Sequence, residues 1–531
     1  MSQHIYLVQI GPVQPFIASA RKVQDLAVGS TMLSRIARAG VEVAQKNDVT
    51  MLFPMPINSD GDLPKGVPHR FAFITDADPD ALMPEIEKAF RDRWKAYADA
   101  VKNLVVRVHG GGNWEKVFDV QVEQWLTVTW AGVPYDVSKH GESYARVNRA
   151  MVARKQFRAF KQVHETGDVN GIKCTQTASQ SALNLDWDVM NEAFDGDNIL
   201  FRTNERLGSL ALIKRLMPRL EQRDYAVVDI DISEDMDVLN KLKDYTDVST
   251  IAGSTEDEFE GHEAERYFAI LHMDGDKMGK ALSQLKTLEE HQTFSHKLNE
   301  FADTSVRNIT DNRDKKRVVL VYAGGDDVLA FAPVNQVLSY AEELRTAFED
   351  KMGLTASAGI SINYFKAPLD IALDTARQAE KTAKESFGRN AVTIRETTHS
   401  GNIRDAGGKW VDEDTNTQAV VAFTGFMDEI RRQMEQQALS TKLGFDLREL
   451  AYEMVSNIPE LEATLKQARA EEVRRILNRR LSDSLNRDIA TALREDFATA
   501  FVQLGESPAC GWEALANRVI MARFLTQKED A

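Results

Sequence analysis

Apolar runs broken by short polar clusters set out the middle of the chain. Residues 267–273 are apolar at every position except His272, and the run closes on Asp274-Gly275-Asp276. Seven residues are too few for a buried helix and suit a strand covered on both faces. A second run over 317–322 stops at Ala323-Gly324-Gly325-Asp326-Asp327 and resumes over 328–331. Two glycines between strand-like runs predict a tight hairpin, because glycine supplies the positive φ that such turns need. Residues 334–351 then carry a helical pattern, 355–362 a strand, 368–387 a helix and 391–394 a strand. In 368–387, Pro368 suits a first turn, Ile371, Ala372, Ala376, Ala379 and Ala383 share one face, and Gly388 suits the stop. The order from 267 to 395 is a β-α-β-β-α-β core with one further helix and strand.

The amino-terminal pattern is a fainter copy. Residues 5–9 predict a strand, a helix follows, and the alternating run 117–130 closes the segment. The first strand ends in Gln9-Ile10-Gly11, with no aspartate where the second copy has Asp274. Residues 135–262 read as mostly helical and end in an acidic, Gly- and Ser-containing stretch, 253–261, of linker character. Residues 397–417 are polar, and beyond them 429–439 and 461–481 are rich in strong helix formers. The predicted class is α+β: two ferredoxin-like domains, resembling palm (GGDEF/nucleotidyl-cyclase-like) domains, alternating with helical domains. The expected segments are 1–134 as a degenerate palm, 135–262 as a helical linker, 263–396 as the acidic palm and 397–531 as a helical carboxyl-terminal domain.

Composition narrows the class. A chain of 531 residues is expected to divide into several domains. No apolar run approaches the roughly 18 residues of a membrane span, and the start has no basic region followed by an apolar stretch, so neither a membrane partner nor a secretory leader is expected. Two cysteines give no disulfide framework, and the reducing cytoplasm is the expected location. Cys174 stands in Lys173-Cys174-Thr175-Gln176-Thr177 with Cys510 far away, and one thiol does not build a tetrahedral zinc site. A net charge of −16 argues against a free-standing nucleic-acid binder but leaves room for local contacts. Residues 144–161 contain Arg146, Arg149, Arg154, Lys155, Arg158 and Lys161, interleaved with Tyr144, Phe157 and Phe160, and no acid. That stretch reads either as a solvated helix face or as a contact for an RNA backbone or partner subunit. Arg474, Arg475, Arg479 and Arg480 have Glu471, Glu472 and Asp483 close by and read as an ordinary exposed helix.

Aspartates closing two strands suit phosphoryl or nucleotidyl transfer. Two divalent ions can activate the attacking oxygen and stabilise the leaving one, and hard Mg²⁺, or Mn²⁺, takes carboxylates plus substrate phosphates. Asp274 and Asp326 are the first candidates for bridging the ions, with Asp327 and Asp276 next. Gly324 and Gly325, with Gly275, leave space for a triphosphate beside the backbone. Lys277, Lys280, Lys384 and Arg389 are candidate phosphate contacts, although cations at a helix end also simply favour its dipole. His272 reads as a packed strand histidine, and neither it nor His296 is expected on Mg²⁺.

The element order is similar to that of GGDEF-type nucleotidyl cyclases and polymerase palms, and Ala383-Lys384-Glu385-Ser386-Phe387-Gly388-Arg389-Asn390 resembles the signature closing GGDEF domains. Further phrases narrow the resemblance: Ile10-Gly11-Pro12-Val13-Gln14-Pro15-Phe16-Ile17 followed by Ala20-Arg21-Lys22 and Asp25-Leu26, Gly66-Val67-Pro68-His69-Arg70-Phe71, Glu205-Arg206-Leu207-Gly208-Ser209-Leu210-Ala211-Leu212-Ile213-Lys214-Arg215, Met273-Asp274-Gly275-Asp276-Lys277-Met278-Gly279-Lys280 and Ala358-Gly359-Ile360. In this order, over residues 5 to about 395, the chain resembles the large polymerase/cyclase-like subunit of type III-B CRISPR effector (Cmr) complexes. The resemblance implies cyclic oligoadenylate synthesis from ATP while the complex holds target RNA. It implies Asp274, Asp326 and Asp327 as metal ligands and Gly324-Gly325 as the turn under the nucleotide. Implied partners are other Cmr-type subunits, guide RNA and target RNA. Many members open with an HD nuclease domain and carry a linker zinc site; neither is expected here, and with no HD domain no DNA nuclease activity is expected. Two other readings stay open: the same palm joining AMP to a different small molecule such as S-adenosylmethionine, and a non-catalytic scaffold.

Overall fold

The computed structural model describes residues 3–58, 61–157, 165, 171–194, 200–243, 247–252, 266–313, 317–397, 403–410, 423–435, 439–440, 442–454, 459–480, 499, 501–502, 505 and 511–525. The chain forms two compact units that are not consecutive in sequence. The first comprises Met1–Asp247, Lys277–Ser305 and Val321–Gly325; the second comprises Val248–Asp276, Val306–Leu320 and Asp326–Ala531.

The first unit is built on β1 (His4–Gly11), β2 (Thr50–Phe53), β3 (Arg70–Thr75) and β4 (Thr127–Pro134), in the order β2-β3-β1-β4 with every paired neighbour antiparallel. Helices Val23–Lys46 and Pro79–His109 make the crossovers of a ferredoxin-like β-α-β-β-α-β fold. Alternation along β1 sorts its side chains. Ile5 and Leu7 join Leu52, Ala72, Ile74 and Ala131 in a core closed by Tyr144, Val147 and Met151 of helix His140–Gln156. Phe71 meets Phe90 of helix Pro79–His109 edge to face, and a Cβ on Gly40 would lie 2.1 Å from the Phe90 ring, so glycine there permits the close helix crossing. The alternating run 117–130 divides between helix Trp114–Trp125 and β4. Its apolar positions Val117, Phe118, Val122 and Trp125 follow helical spacing, which outweighs the local alternation.

The phrases at 10–26 and 205–215 meet inside this unit. Arg215 is fully buried and donates to Asp25 at 2.8 Å and to Glu205 at 3.0 Å. Lys214, also buried, donates to the carbonyls of Phe16 and Ser19. These residues hold the unit together rather than facing a ligand. Cys174 is buried and unbridged, and Cys510 lies outside the described residues, as do the stretch 253–261, Arg158, Phe160 and Lys161.

The second sheet repeats the topology. Its strands are β5 (Tyr267–Gly275), β6 (Val319–Gly324), β7 (Asp327–Pro333), β8 (Ala356–Tyr364), β9 (Ala391–Thr397) and β10 (Ile403–Lys409), in the order β10-β9-β8-β5-β7-β6. The sub-order β8-β5-β7-β6 matches β4-β1-β3-β2 of the first unit. Helices Val334–Met352 and Leu369–Glu385 pack on this sheet, the latter through Ala372, Ala376, Ala379 and Ala383. Gly359 of β8 lies directly beneath it: a Cβ there would stand 2.1 Å from the Glu380 nitrogen and 2.2 Å from the Ala376 carbonyl oxygen. A glycine facing an alanine stripe therefore sets this helix close on the strand, which fixes where Glu380 and Lys384 emerge. Strand β10 lies inside the polar stretch 397–417. It pairs antiparallel with β9, and Gly407 fits against Phe387 and the Val392 carbonyl where a side chain would clash. Helix Gly511–Ala522 packs on β10 and on helix Leu443–Glu453, and Arg518 donates to the Gly407 carbonyl at 2.7 Å.

Candidate active site

Strand β5 is the centre of the site. It pairs with β7 on one side, in a register that sets Met273 against Val328, and with β8 on the other. One step further along the antiparallel ladder, Asp274 comes opposite Asp327. The turn between β6 and β7 places Asp326 beside them. Gly325 has φ +73°, a left-handed conformation that favours glycine, whereas a Cβ on Gly324 would meet nothing within 4 Å. Gly275 is buried in the β5–β8 ladder opposite Ala356.

Three carboxylates in one place repel each other. Burial, and then the Asp274 carboxylate, push the Asp326 carboxyl up to about 7, with Asp327 adding to the rise. Lys384 supplies the opposing charge. Its ammonium donates to Asp274 and forms an ion pair with Glu380, four residues earlier on the same helix. Burial disfavours the charged ammonium, but the hydrogen bonds to Asp274 and Glu380 outweigh it and raise the Lys384 pKa. His272, 7% exposed, points its Nε2 at Asp327 Oδ1 from 3.5 Å. Burial pushes this imidazole down to about 4, so it is neutral at physiological pH.

Asp276 occupies a different place in the same unit. One carboxylate oxygen accepts from Thr355 Oγ1 and from the Asn390 backbone N–H, each at 2.8 Å, and the other accepts from Ser357 Oγ at 2.8 Å. Arg389 stands 3.7 Å away. Gly388, Arg389 and Asn390 all have positive φ, an arrangement that two non-glycine residues adopt only when their surroundings enforce it. The buried Asp276 carboxylate helps hold this turn, together with Lys409, whose ammonium donates to the Gly388 and Arg389 carbonyls, and the Trp410 N–H, which donates to the Asn390 carbonyl. Lys277 and Lys280 belong to the first unit, at the start of helix Met278–Gln284, and are exposed. The structure thus gathers Asp274, Asp326, Asp327 and Lys384, with Gly324-Gly325 at the turn, and sets Asp276 with Arg389 in a brace. Glu380 is the partner of Lys384 that motif reading omits; its i, i+4 spacing to Lys384 is the signal for it.

Among the described residues, no three His, Cys, Asp or Glu side chains form a ready metal cage. Mg²⁺ does not need one, since it keeps several waters and takes one or two carboxylates plus substrate phosphates. The donor set fits: hard oxygens, a carboxyl that resists ionisation without added positive charge, and a carboxylate, Asp274, already countered by the Lys384 ammonium.

Residues 267–393 match the model of the second palm domain of Cas10/Cmr2, and residues 5–99 match that of the N-terminal region of the CRISPR-associated protein Cmr2. Over these two regions the chain matches the Cas10/Cmr2 family. Among curated relatives, the CRISPR system Cmr subunit Cmr2 of Pyrococcus furiosus is 32% identical over 170 residues, covering 26% of this chain and 19% of that protein. The match therefore spans less than two thirds of that relative. A type III-B Cmr-beta chain from a complex bound to cognate target RNA superposes with a TM-score of 0.61 at 12% identity, covering 91% of this chain and 79% of that one. A chain of a Csm1–Csm4 cassette in complex with cA4 gives a TM-score of 0.50 at 15% identity, covering 99% and 70%. At these identities the likeness is one of fold. No helix among the described residues is long and apolar enough to cross a membrane.

Proposed function

We propose that this chain is a target-RNA-activated, two-metal nucleotidyl transferase that makes cyclic oligoadenylates from ATP, as the palm-bearing subunit of an RNA-guided defence complex with other Cmr-type subunits. The observation that carries the reading is the electrostatic cluster of Asp274, Asp326 and Asp327, countered by Lys384. Clustered carboxylates cost stability and are useful where a cation is to be held. The relatives' bound nucleotide and target RNA support the same reading.

In nucleotidyl transfer a ribose hydroxyl of one ATP attacks the α-phosphorus of another. The bond to pyrophosphate breaks, and the hydroxyl proton passes to solvent. Asp274, Asp326 and Asp327 would hold divalent ions, which when bound would supply charge neutralisation at the attacked phosphate and the leaving oxygen. Lys384, held by Asp274 and Glu380, would be the cation placed to meet a triphosphate if a bound metal took over Asp274. The amino-terminal palm has Ile10 at the strand end where β5 has Asp274, so it carries no chemistry and serves as a partner fold. The test is the assembled complex with target RNA, ATP and Mg²⁺, its product identified by mass spectrometry. Cyclic oligoadenylate from the wild type and none from Asp326→Ala/Asp327→Ala supports the reading. An AMP conjugate, or undiminished product from the double variant, overturns it.

A further inference from the structure

Helix His140–Gln156 buries one side and exposes the other. Tyr144, Val147 and Met151 close the core beneath β1 and β3. Arg146, Arg149 and Arg154 are exposed, and at about 100° per residue Arg149 and Arg154 flank Arg146 by roughly 60° and 80° around the helix. None of the three arginines forms an ion pair or side-chain hydrogen bond with a described residue. The arginine-rich helix Pro459–Arg480 behaves differently. There Arg474 pairs with Glu471 at 2.8 Å, Arg475 with Glu472 at 2.5 Å, and Arg480 with Asp446 at 2.5 Å. In a chain of net charge −16, an unneutralised arginine face is a local exception. At the helix end Phe157 is 82% exposed, the most exposed large apolar residue described, and Val152 is 60% exposed. Lys155 donates to Gln9 and ties that end of the helix to β1.

A solvated structural helix has reason to carry charge but none to display a phenylalanine. Unpaired guanidinium groups beside an exposed aromatic ring match a ligand with both phosphates and unstacked bases. We infer that the exposed face of helix His140–Gln156 is a docking surface for single-stranded RNA, with Arg146, Arg149 and Arg154 on the backbone and Phe157 stacking on a base. The surface deepens the proposed function by naming where this subunit meets RNA. It is nonetheless tested without ATP or divalent metal, so its failure leaves the nucleotidyl-transfer reading standing.

The experiment is fluorescence anisotropy of a labelled 20-nucleotide single-stranded RNA against the full chain, titrated over a series of KCl concentrations. Neutralising three phosphate contacts is worth about 2 in the slope of log affinity against log salt, because each contributes roughly 0.7 on a single strand. Arg146→Gln/Arg149→Gln/Arg154→Gln is expected to lower the slope by that amount, equally for unrelated RNA sequences. Phe157→Ala is expected to weaken binding roughly 5- to 100-fold with the slope unchanged. Circular dichroism confirms that both variants fold, since the altered side chains lie outside the core. The inference is overturned if the triple variant keeps the wild-type slope and affinity. It is equally overturned if ATP competes fully with the RNA, which makes the face a nucleotide subsite, or if the variants bind RNA normally and lose assembly with other subunits, which makes it a protein interface.

Discussion

Replacing Asp276 with alanine separates a brace from a metal ligand. The Asp276 carboxylate, 2% exposed, accepts three hydrogen bonds: from Thr355 Oγ1, Ser357 Oγ and the Asn390 N–H. Thr355 is partly exposed and can turn to water. Ser357 is fully buried, and the Asn390 amide belongs to a turn of three positive-φ residues. Two donors left without acceptors cost about 1–3 kcal/mol each, so Asp276→Ala is expected to lose about 2–6 kcal/mol. That is a large share of a domain's stability of roughly 5–15 kcal/mol. Thermal unfolding in EDTA measures the loss, and hydrogen exchange over 386–391 reports release of the turn. Asp276→Asn keeps one acceptor oxygen and is expected to fall between the two. If Asp276→Ala instead unfolds at the wild-type temperature with Asn390 still protected, yet loses Mn²⁺ affinity, the brace is refuted and Asp276 is a ligand.

Other outcomes follow from the same geometry. Asp326→Asn is expected to stabilise the metal-free chain: with its folded carboxyl raised to about 7, wild-type Asp326 holds its proton more tightly folded than unfolded, so wild-type stability relative to the variant falls as pH rises from about 4 to 7 and levels off above, readable by thermal melts in EDTA. Gly359→Ala pushes helix Leu369–Glu385 off β8 and is expected to cost roughly 1–3 kcal/mol, with weaker nucleotide binding as Lys384 shifts, checked by urea unfolding and ATP titration. Arg215→Ala leaves Asp25 and Glu205 buried without their counter-charge and is expected to cost about 3–5 kcal/mol, or to prevent soluble expression, while Arg146→Ala on the exposed face leaves stability unchanged.

Much of the second palm was legible because its elements obey local rules. The apolar run before Asp274 and the Gly324-Gly325 turn specify β5 and the β6–β7 hairpin with little help from distant residues. The helix over 368–387 is Leu369–Glu385 in the structure, ended by Gly388 at φ +72°. Where the reading missed, long-range contacts decide. Strand β10 has few apolar residues; it forms because β9 offers a partner and Gly407 fits against Phe387. Asp274 and Asp276 look alike in sequence as acids flanking a glycine. Their roles diverge because the partners of Asp276 sit 81 and 114 residues away at Ser357 and Asn390. Lys384 stands among the candidate phosphate contacts, but its contact with Asp274 depends on Gly359, which no spacing rule connects to it.

The central claim is that Asp274, Asp326 and Asp327 together hold divalent ions against a nucleotide. Its most direct test is Mn²⁺ binding to the full chain followed by electron paramagnetic resonance, with and without a non-hydrolysable ATP analogue, at pH 8, where Asp326 is ionised. The expected result is nucleotide-enhanced Mn²⁺ binding in the wild type that is lost in both Asp274→Ala and Asp326→Ala/Asp327→Ala, each still folded. Equal Mn²⁺ binding by wild type and variants contradicts the account.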